Sequence, residues 1–363
     1  MLVGIDASRA TPPPRTGTEN YSVGLIRALV ERGQYPYRLY YRDRLAPELA
    51  GLRADYCRLP GRRLWSHTRL AWELLRRPPD ALLVPAHVLP LTHPRRSVVT
   101  VHDVGFRFFP QAHPTSARLY LDLSTRWAAG RAAHLLADSE ATRRDVVRLY
   151  GVRPDRISVV YPAVDARFTP VSEPGERERL AATYGLPGPY ALYVGTLQPR
   201  KNVGTLVEAM AQTDPGLSLA VVGGVGWGGE AERLKARVEA LGLTDRVRFL
   251  GHAPGADLPA LMRQALALAL PSLHEGFGMP LAEAMACGTP TLAADSSCLP
   301  EVVGDAGLLL PPRDPVAWAE ALHRVAGDAD LRRELGERGQ SRAGLFTWDR
   351  AAATVEQVLA SLA

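Results

Sequence analysis

Short apolar runs alternate with longer amphipathic stretches along most of this chain. An apolar run of four to eight residues bounded by turn formers reads as a buried strand. Apolar positions recurring every three or four residues read as one face of a helix. The first run, 2–7, leads into a loop with Pro12, Pro13, Pro14 and Gly17. A helix is expected from about Thr18 to Arg32, where Tyr21, Leu25, Ile26, Leu29 and Val30 share a face and Gly33 supplies the stop. Further strands are expected at 37–41, 81–84, 97–101, 134–138 and 156–161, and the helix after Ser139 should end at Gly151.

A second alternation follows, with strands near 190–194, 217–222, 246–250, 266–270 and 290–294 and helices near 202–212, 229–241, 257–263 and 280–287. The tail, 314–362, reads as mostly helical. Residues 162–176 hold three prolines and few apolar positions, as a linker does. This rhythm predicts an α/β protein of two doubly wound, Rossmann-like domains facing across a cleft. The expected division is an N-terminal domain over 1–165, a linker over 166–176 and a C-terminal domain over 177–345. Ligands of such sheets bind beyond the carboxyl ends of the strands.

Composition narrows the classes. With 363 residues, 46% hydrophobic and 22% charged, the chain can bury a large core without disulfide or metal staples. Cys57, Cys287 and Cys298 show no pairing or zinc spacing. No basic leader precedes the first strand, and no run approaches the roughly 18 apolar residues of a membrane span. A cytoplasmic location is therefore expected. The formal charge of +5 is spread along the chain. No aromatic–basic ladder or helix-turn-helix signature accompanies it, so nucleic acid is not an expected partner.

Four constellations carry candidate chemistry. Glu275 and Glu283 bracket the loop Gly276, Phe277, Gly278, Met279, Pro280 and Leu281, which opens a helix closed by Gly288. The glycines allow close backbone approach, and the N–H groups of 277–281 suit a diphosphate. On spacing alone, a plain strand–turn–helix joint accounts for these residues equally well. Arg200 and Lys201 follow the strand ending at Gly195, where a fork and a point charge can clamp a diphosphate. A solvated loop pair is the competing reading. Gly17 follows the first strand and His102 closes the 97–101 strand. Alone, they read better as a turn and a packed histidine.

Two patterns mislead. Gly224, Gly226 and Gly229 satisfy a dinucleotide fingerprint, but the next strand, RVRFLG, runs into Gly251-His252 without the required acid. Asp328-Ala329-Asp330 is a possible metal-binding tripeptide that instead reads as a helix N-cap. Residues 58–77 mix basic groups with Leu64, Trp65, Leu70, Trp72, Leu74 and Leu75. A helix packing its apolar stripe on the domain is the favoured reading. Peripheral contact with an anionic inner-membrane surface is the alternative.

Together these residues resemble the retaining glycosyltransferases of the GT-B fold, in particular the large family 4, over nearly the whole chain. Glu275 and Glu283 match its E-x7-E motif, Arg200 and Lys201 its paired diphosphate cations, Gly17 its first-loop glycine, and His102 its active-site histidine. The stretch FTWDRAAATVEQVL, within 346–363, resembles the last helix that crosses back onto the N-terminal domain. GTLQPRKN, the Gly-Trp of VGGVGWGGE and VTVHDV are similar to a mannosyltransferase-like, GDP-mannose-type subgroup, although Gln198 stands where that subgroup usually has Glu. The resemblance implies metal-independent hexose transfer with retention, from a nucleotide-diphosphate sugar to a glycan or lipid-linked acceptor. It implies no cofactor. It makes His102, Glu275, Arg200 and Lys201 the catalytic set. Donor contacts would add Gly17, Gly195, Gly251, His252 and residues 276–281, with Glu283 on the ribose and the base near 250–253. A nucleotide-sugar 2-epimerase of the same fold and a non-catalytic sugar-nucleotide binder are the rival readings.

Overall fold

The computed structural model describes residues 1–13, 15–61, 64–110, 114–226 and 228–363. Pro14, Arg62, Arg63 and Trp227, which entered the sequence reading, lie outside them. The chain forms two compact units. The first comprises 1–108, 115–163 and 346–363, and the second 109–114 and 164–345.

Unit one is built on a parallel sheet. Its strands are β1 (Val3–Asp6), β2 (Tyr37–Tyr41), β3 (Asp55–Arg58), β4 (Ala81–Val84), β5 (Ser97–Val101), β6 (His134–Ala137) and β7 (Ile157–Val159). Their order is β3-β2-β1-β4-β5-β6-β7. β1, β4 and β5 are buried at every position. Helices cover both faces, so these strands read as continuous apolar runs. β3 was not expected. Its sequence, DYCR, is mostly exposed at the sheet edge and has no apolar run to betray it.

The first helix spans Gly17–Arg32. The Thr16 N–H donates to Glu19 Oε2 at 2.8 Å, and Gly33 ends the helix in the left-handed region at φ 65°. The helix Trp348–Ser361 also belongs to unit one and packs against this first helix. Gly24 permits the packing, because a Cβ there would lie 2.2 Å from the Trp348 ring. Arg32 Nε donates to Glu356 Oε2 at 3.0 Å across the same pair.

Unit two holds β8 (Tyr190–Val194), β9 (Ser218–Val222), β10 (Val247–Gly251), β11 (Ala267–Leu270), β12 (Thr291–Ala294) and β13 (Gly307–Leu310). They are parallel, in the order β10-β9-β8-β11-β12-β13. Residues 166–176, read as linker, group with this unit. Arg263 explains the attachment. Its Nε donates to Glu176 Oε1 at 3.1 Å and its Nη1 to the Thr169 carbonyl at 3.2 Å. Glu176 also opens a helix, Glu176–Tyr184, that the sequence pattern did not reveal.

The basic segment 58–77 divides. Trp65, Leu70 and Leu74 are buried, whereas Leu64, Trp72 and Leu75 stand about 60% exposed. A packed stripe therefore accounts for three of these six residues. Among the described residues, no helix is long and apolar enough to cross a membrane.

Candidate active site

In each sheet the strand order reverses once, between β1 and β4 and between β8 and β11. Loops leave such a point in opposite directions and open a crevice beyond the strand ends. Arg200, Lys201 and Glu275 lie at the second of these points, Gly17 follows β1 at the first, His102 follows β5 one strand beyond it, and Gly251 and His252 lie at the edge strand β10.

In unit two, the loop after β8 carries Arg200 and Lys201, and the loop after β11 carries Glu275. Lys201 Nζ donates to Glu275 Oε1 at 2.5 Å, Ser272 Oγ donates to the same oxygen at 2.7 Å, and Arg200 Nη1 reaches Oε2 at 3.3 Å. Arg200 Nη1 also donates to the His274 carbonyl at 2.8 Å. Glu275 is buried. Burial pushes its carboxyl up, but Lys201 and Arg200 outweigh that and hold it below the ordinary range. The Glu275 carboxylate is thus ionised between its two cations.

Backbone geometry fixes these loops. Asn202 sits in the left-handed region at φ 56°, and its Nδ2 donates to the Pro271 carbonyl at 3.0 Å and the Pro312 carbonyl at 2.5 Å. The Leu273 N–H donates to the Arg200 carbonyl at 2.8 Å, tying the two loops directly. Ser297 was not foreseen. Its Oγ donates to the Glu275 carbonyl at 2.8 Å from a backbone at φ 52°.

The glycine-rich stretch after β9 has a structural use. A Cβ on Gly223 would lie 1.9 Å from the Gly195 carbonyl oxygen, and one on Gly226 would lie 2.4 Å from Gln198 Cγ. The Leu197 N–H donates to Gly224 at 3.0 Å, and Leu197 bridges Val225. These glycines let the loops after β8 and β9 pack backbone to backbone. The second misleading pattern also resolves, because Asp328 Oδ1 accepts from the Leu331 N–H at 2.9 Å as an N-cap.

The helix Met279–Ala286 starts after Gly278, which adopts φ 89°. A Cβ on Gly278 would lie 2.8 Å from Leu299 Cδ2. The expectation of unused N–H groups across 277–281 needs correction. Pro280 has none, and the Leu281 N–H donates to the Gly278 carbonyl at 2.9 Å. Phe277 is buried. Glu283 is half-buried in this helix. Burial pushes its carboxyl up to about 8, against the pull of Arg167 and with a further push from Asp165. Gly251 ends β10 at φ 67°, and both it and His252 are exposed.

In unit one, Gly17 is the first residue of its helix rather than part of the loop before it. It is exposed, its φ is not left-handed, and a Cβ there would meet nothing within 4 Å. Neither backbone nor packing demands glycine at this position. His102 directly follows β5 and is buried. Its Nδ1 lies 2.8 Å from Asp138 Oδ2, and its Nε2 lies 3.2 Å from the Pro85 carbonyl. A cavity of about 740 Å³ lies around the β1–β4 reversal, and His87, rather than His102, is among its lining residues. Asp6, Arg9, Glu19, Arg42, His87 and Tyr120 are among its lining residues. His87 stands 5.4 Å from His102, ring centre to ring centre.

Comparison with known proteins decides the family. The model of "Glycosyl transferases group 1" matches residues 177–342, and that of "Glycosyltransferase Family 4" matches residues 15–168. An O-antigen chain mannosyltransferase B of Escherichia coli is 34% identical over 70% of this chain and 67% of its own length. A D-inositol 3-phosphate glycosyltransferase of Streptomyces bingchenggensis is 31% identical over 98% of this chain and 79% of its own length. The chain belongs to the glycosyltransferases of group 1 and family 4. Among solved structures, this glycosyltransferase superposes on a sucrose-phosphate synthase from Thermosynechococcus elongatus with a TM-score of 0.78, at 23% identity over 100% of this chain and 99% of that one. It superposes on Anabaena HepE, solved with UDP and glucose, at 0.77, with 19% identity over 99% of both chains. These likenesses establish the GT-B fold of the glycosyltransferase.

Proposed function

We propose that this glycosyltransferase moves a hexose from a nucleotide-diphosphate sugar to a glycan or lipid-linked acceptor, with retention and without a metal ion. The observation that carries this reading is the ionised Arg200–Lys201–Glu275 cluster at the strand reversal of unit two. When a sugar–diphosphate bond breaks, negative charge grows on the leaving phosphate. Two preset cations stabilise that charge without solvent reorganisation. A nucleotide sugar competes with Glu275 for them and gives the carboxylate sugar hydroxyls in exchange.

Retention is taken from the family resemblance, and it has a consequence for the groups the site needs. The acceptor hydroxyl attacks from the side the diphosphate leaves, so the departing phosphate oxygen takes its proton. The protein then needs to supply position and charge rather than a dedicated base. Glu283, kept largely protonated by burial, offers an O–H to a ribose oxygen. In unit two the loop 276–281 offers its backbone to phosphate, and Gly17 leaves the start of the first helix of unit one open to an anion. Gly195, Gly251 and His252 line the remaining donor contacts.

GDP-mannose is the favoured donor, because the E. coli relative is described as a mannosyltransferase and the motifs resemble that subgroup. UDP-sugars come next. The cavity of unit one is assigned to the acceptor. The exposed Leu64, Trp72 and Leu75, close in sequence to Arg69, Arg76 and Arg77, suit peripheral contact with anionic lipid at the inner membrane surface. Flotation with anionic liposomes that fades with salt supports that contact, and no flotation at low salt removes it.

The deciding experiment offers the purified chain a panel of nucleotide sugars and follows thermal shift, then turnover with an acceptor. NMR of the product reads the anomeric configuration. Turnover that survives chelation supports metal independence. Conversion of donor without acceptor points instead to an epimerase.

A further inference from the structure

His102 presents both ring nitrogens to oxygen atoms. Nδ1 meets Asp138 Oδ2 at 2.8 Å and Nε2 meets the Pro85 carbonyl at 3.2 Å. A carbonyl oxygen only accepts, so Nε2 carries a proton. The Nδ1–Oδ2 contact needs a second proton, on the ring or on the carboxyl. The His102–Asp138 pair therefore holds two protons in all and has no net charge, whichever atom carries the second. Both residues are buried, which favours this arrangement over a lone charge.

We propose that Asp138 is a positioning residue that locks His102 with a permanent Nε2–H donor, so that His102 holds a substrate hydroxyl oxygen and never removes a proton. This rests on the transferase reading above and deepens it. The locked donor agrees with a transfer in which the leaving phosphate, not a side chain, receives the acceptor proton.

The surroundings support the lock. β5 and β6 pair with Val101 opposite Ala137, so the next residue of each strand, His102 and Asp138, emerges side by side. Thr142 Oγ1 donates to the His102 carbonyl at 3.3 Å, and the Tyr21 ring stands edge-on at 4.9 Å. The neighbouring titratable groups compete little for the proton. His87 faces the Asp103 carbonyl at 3.2 Å, and burial lowers its own affinity for a proton to a pKa of about 4. The Asp103 carboxylate accepts from the Gly105 N–H at 2.7 Å, and its charge strengthens proton binding by both His102 and Asp138, whereas Arg9 acts on His87. Burial pushes the His102 ring toward neutrality, but Asp138 reverses this and raises its pKa above the ordinary value. The Nε2 contact with Pro85 lies at the long end of hydrogen bonding, so the same N–H can be shared with a ligand oxygen.

The test uses the full chain labelled with 15N-histidine, with H102Q to identify the ring signals. The native ring should keep Nε2 protonated from about pH 6 to 8 and show Nδ1 strongly hydrogen-bonded. D138N should lower its titration, since burial is then opposed only by the lesser pull of the Pro85 carbonyl and Asp103. Turnover of D138N should fall roughly 10- to 100-fold in kcat, the size of a lost charge-assisted hydrogen bond, with donor KM little changed. A native ring protonated only on Nδ1, or a titration identical in D138N, overturns the lock. Normal kcat in D138N beside an inactive H102Q overturns its role in positioning. If both variants keep normal turnover, the role of His102 in transfer fails, while the NMR result still judges the pair by itself.

Discussion

The two parallel sheets use one architecture for different electrostatics. At the β8–β11 reversal of unit two, two cations converge on one carboxylate that stays ionised. At the carboxyl ends of β4, β5 and β6 in unit one, a histidine and a carboxylate share protons to reach zero net charge. The first arrangement suits a ligand that brings negative charge. The second suits a neutral hydroxyl that must be held but not ionised. The parallel sheet provides only the place. The side chains carried beyond the strand ends decide which ligand suits each place.

The largest expected effect tests unit two. Lys201→Ala should lower kcat by roughly 10²- to 10³-fold, as loss of one charge-stabilising donor does. Steady-state kinetics at saturating donor checks it, and near-normal turnover would remove the cluster from the mechanism. Lys201 is one of only two lysines in an arginine-rich chain. Its compact ammonium reaches a buried oxygen that Ser272 also holds. Lys201→Arg should therefore also be impaired.

Next in size, Gly24→Leu should destabilise unit one by about 1–3 kcal/mol, because the new side chain displaces Trp348. Chemical denaturation measures it. An unchanged midpoint would mean that the final helix does not need this contact.

A smaller effect separates the two glutamates of the motif. Glu283 binds its proton more tightly folded, at about 8, than its ordinary 4.5. Its contribution to stability is thus complete below about pH 4.5 and is lost as pH rises toward 8. Melting temperatures of Glu283→Gln should lose this decline between those pH values. Glu275 has the opposite sign. Its depressed pKa gives stability that is present above the ordinary value and lost as pH falls below it. Parallel slopes for native protein and Glu283→Gln would refute the assignment to Glu283.

The smallest effect concerns a residue outside both sites. Asp328→Ala should cost about 1 kcal/mol as a lost N-cap and leave turnover unchanged. A fall in activity would reopen the metal reading of that tripeptide.

Legibility in the sequence followed burial. The central strands could be read because parallel strands covered on both faces are continuous apolar runs. β3 and the helix Glu176–Tyr184 escaped because one lies exposed at an edge and the other is mostly polar. The same divide runs through the sites. Arg200, Lys201 and Glu275 sit in loops, and Glu283 in the short helix that follows, where glycines and prolines make a pattern. Asp138 makes none, since it stands 36 residues from His102 and meets it only through strand register. The clue was available in the two apolar runs that end in VHD and ADS, each followed by a polar residue at the same level of the sheet. Ser297 also left no trace, because its contact with Glu275 depends on a left-handed backbone that no glycine announces.

The seat of Trp348 against Gly24 has a consequence for synthesis. Unit one cannot finish folding when its own sheet leaves the ribosome, because its last helix is made after all of unit two. Until then the groove along Gly17–Arg32 stays apolar and uncovered, a surface for chaperones or for a neighbouring nascent chain. Truncation just before residue 346 should therefore injure the first-made half of the protein, not the half beside the cut.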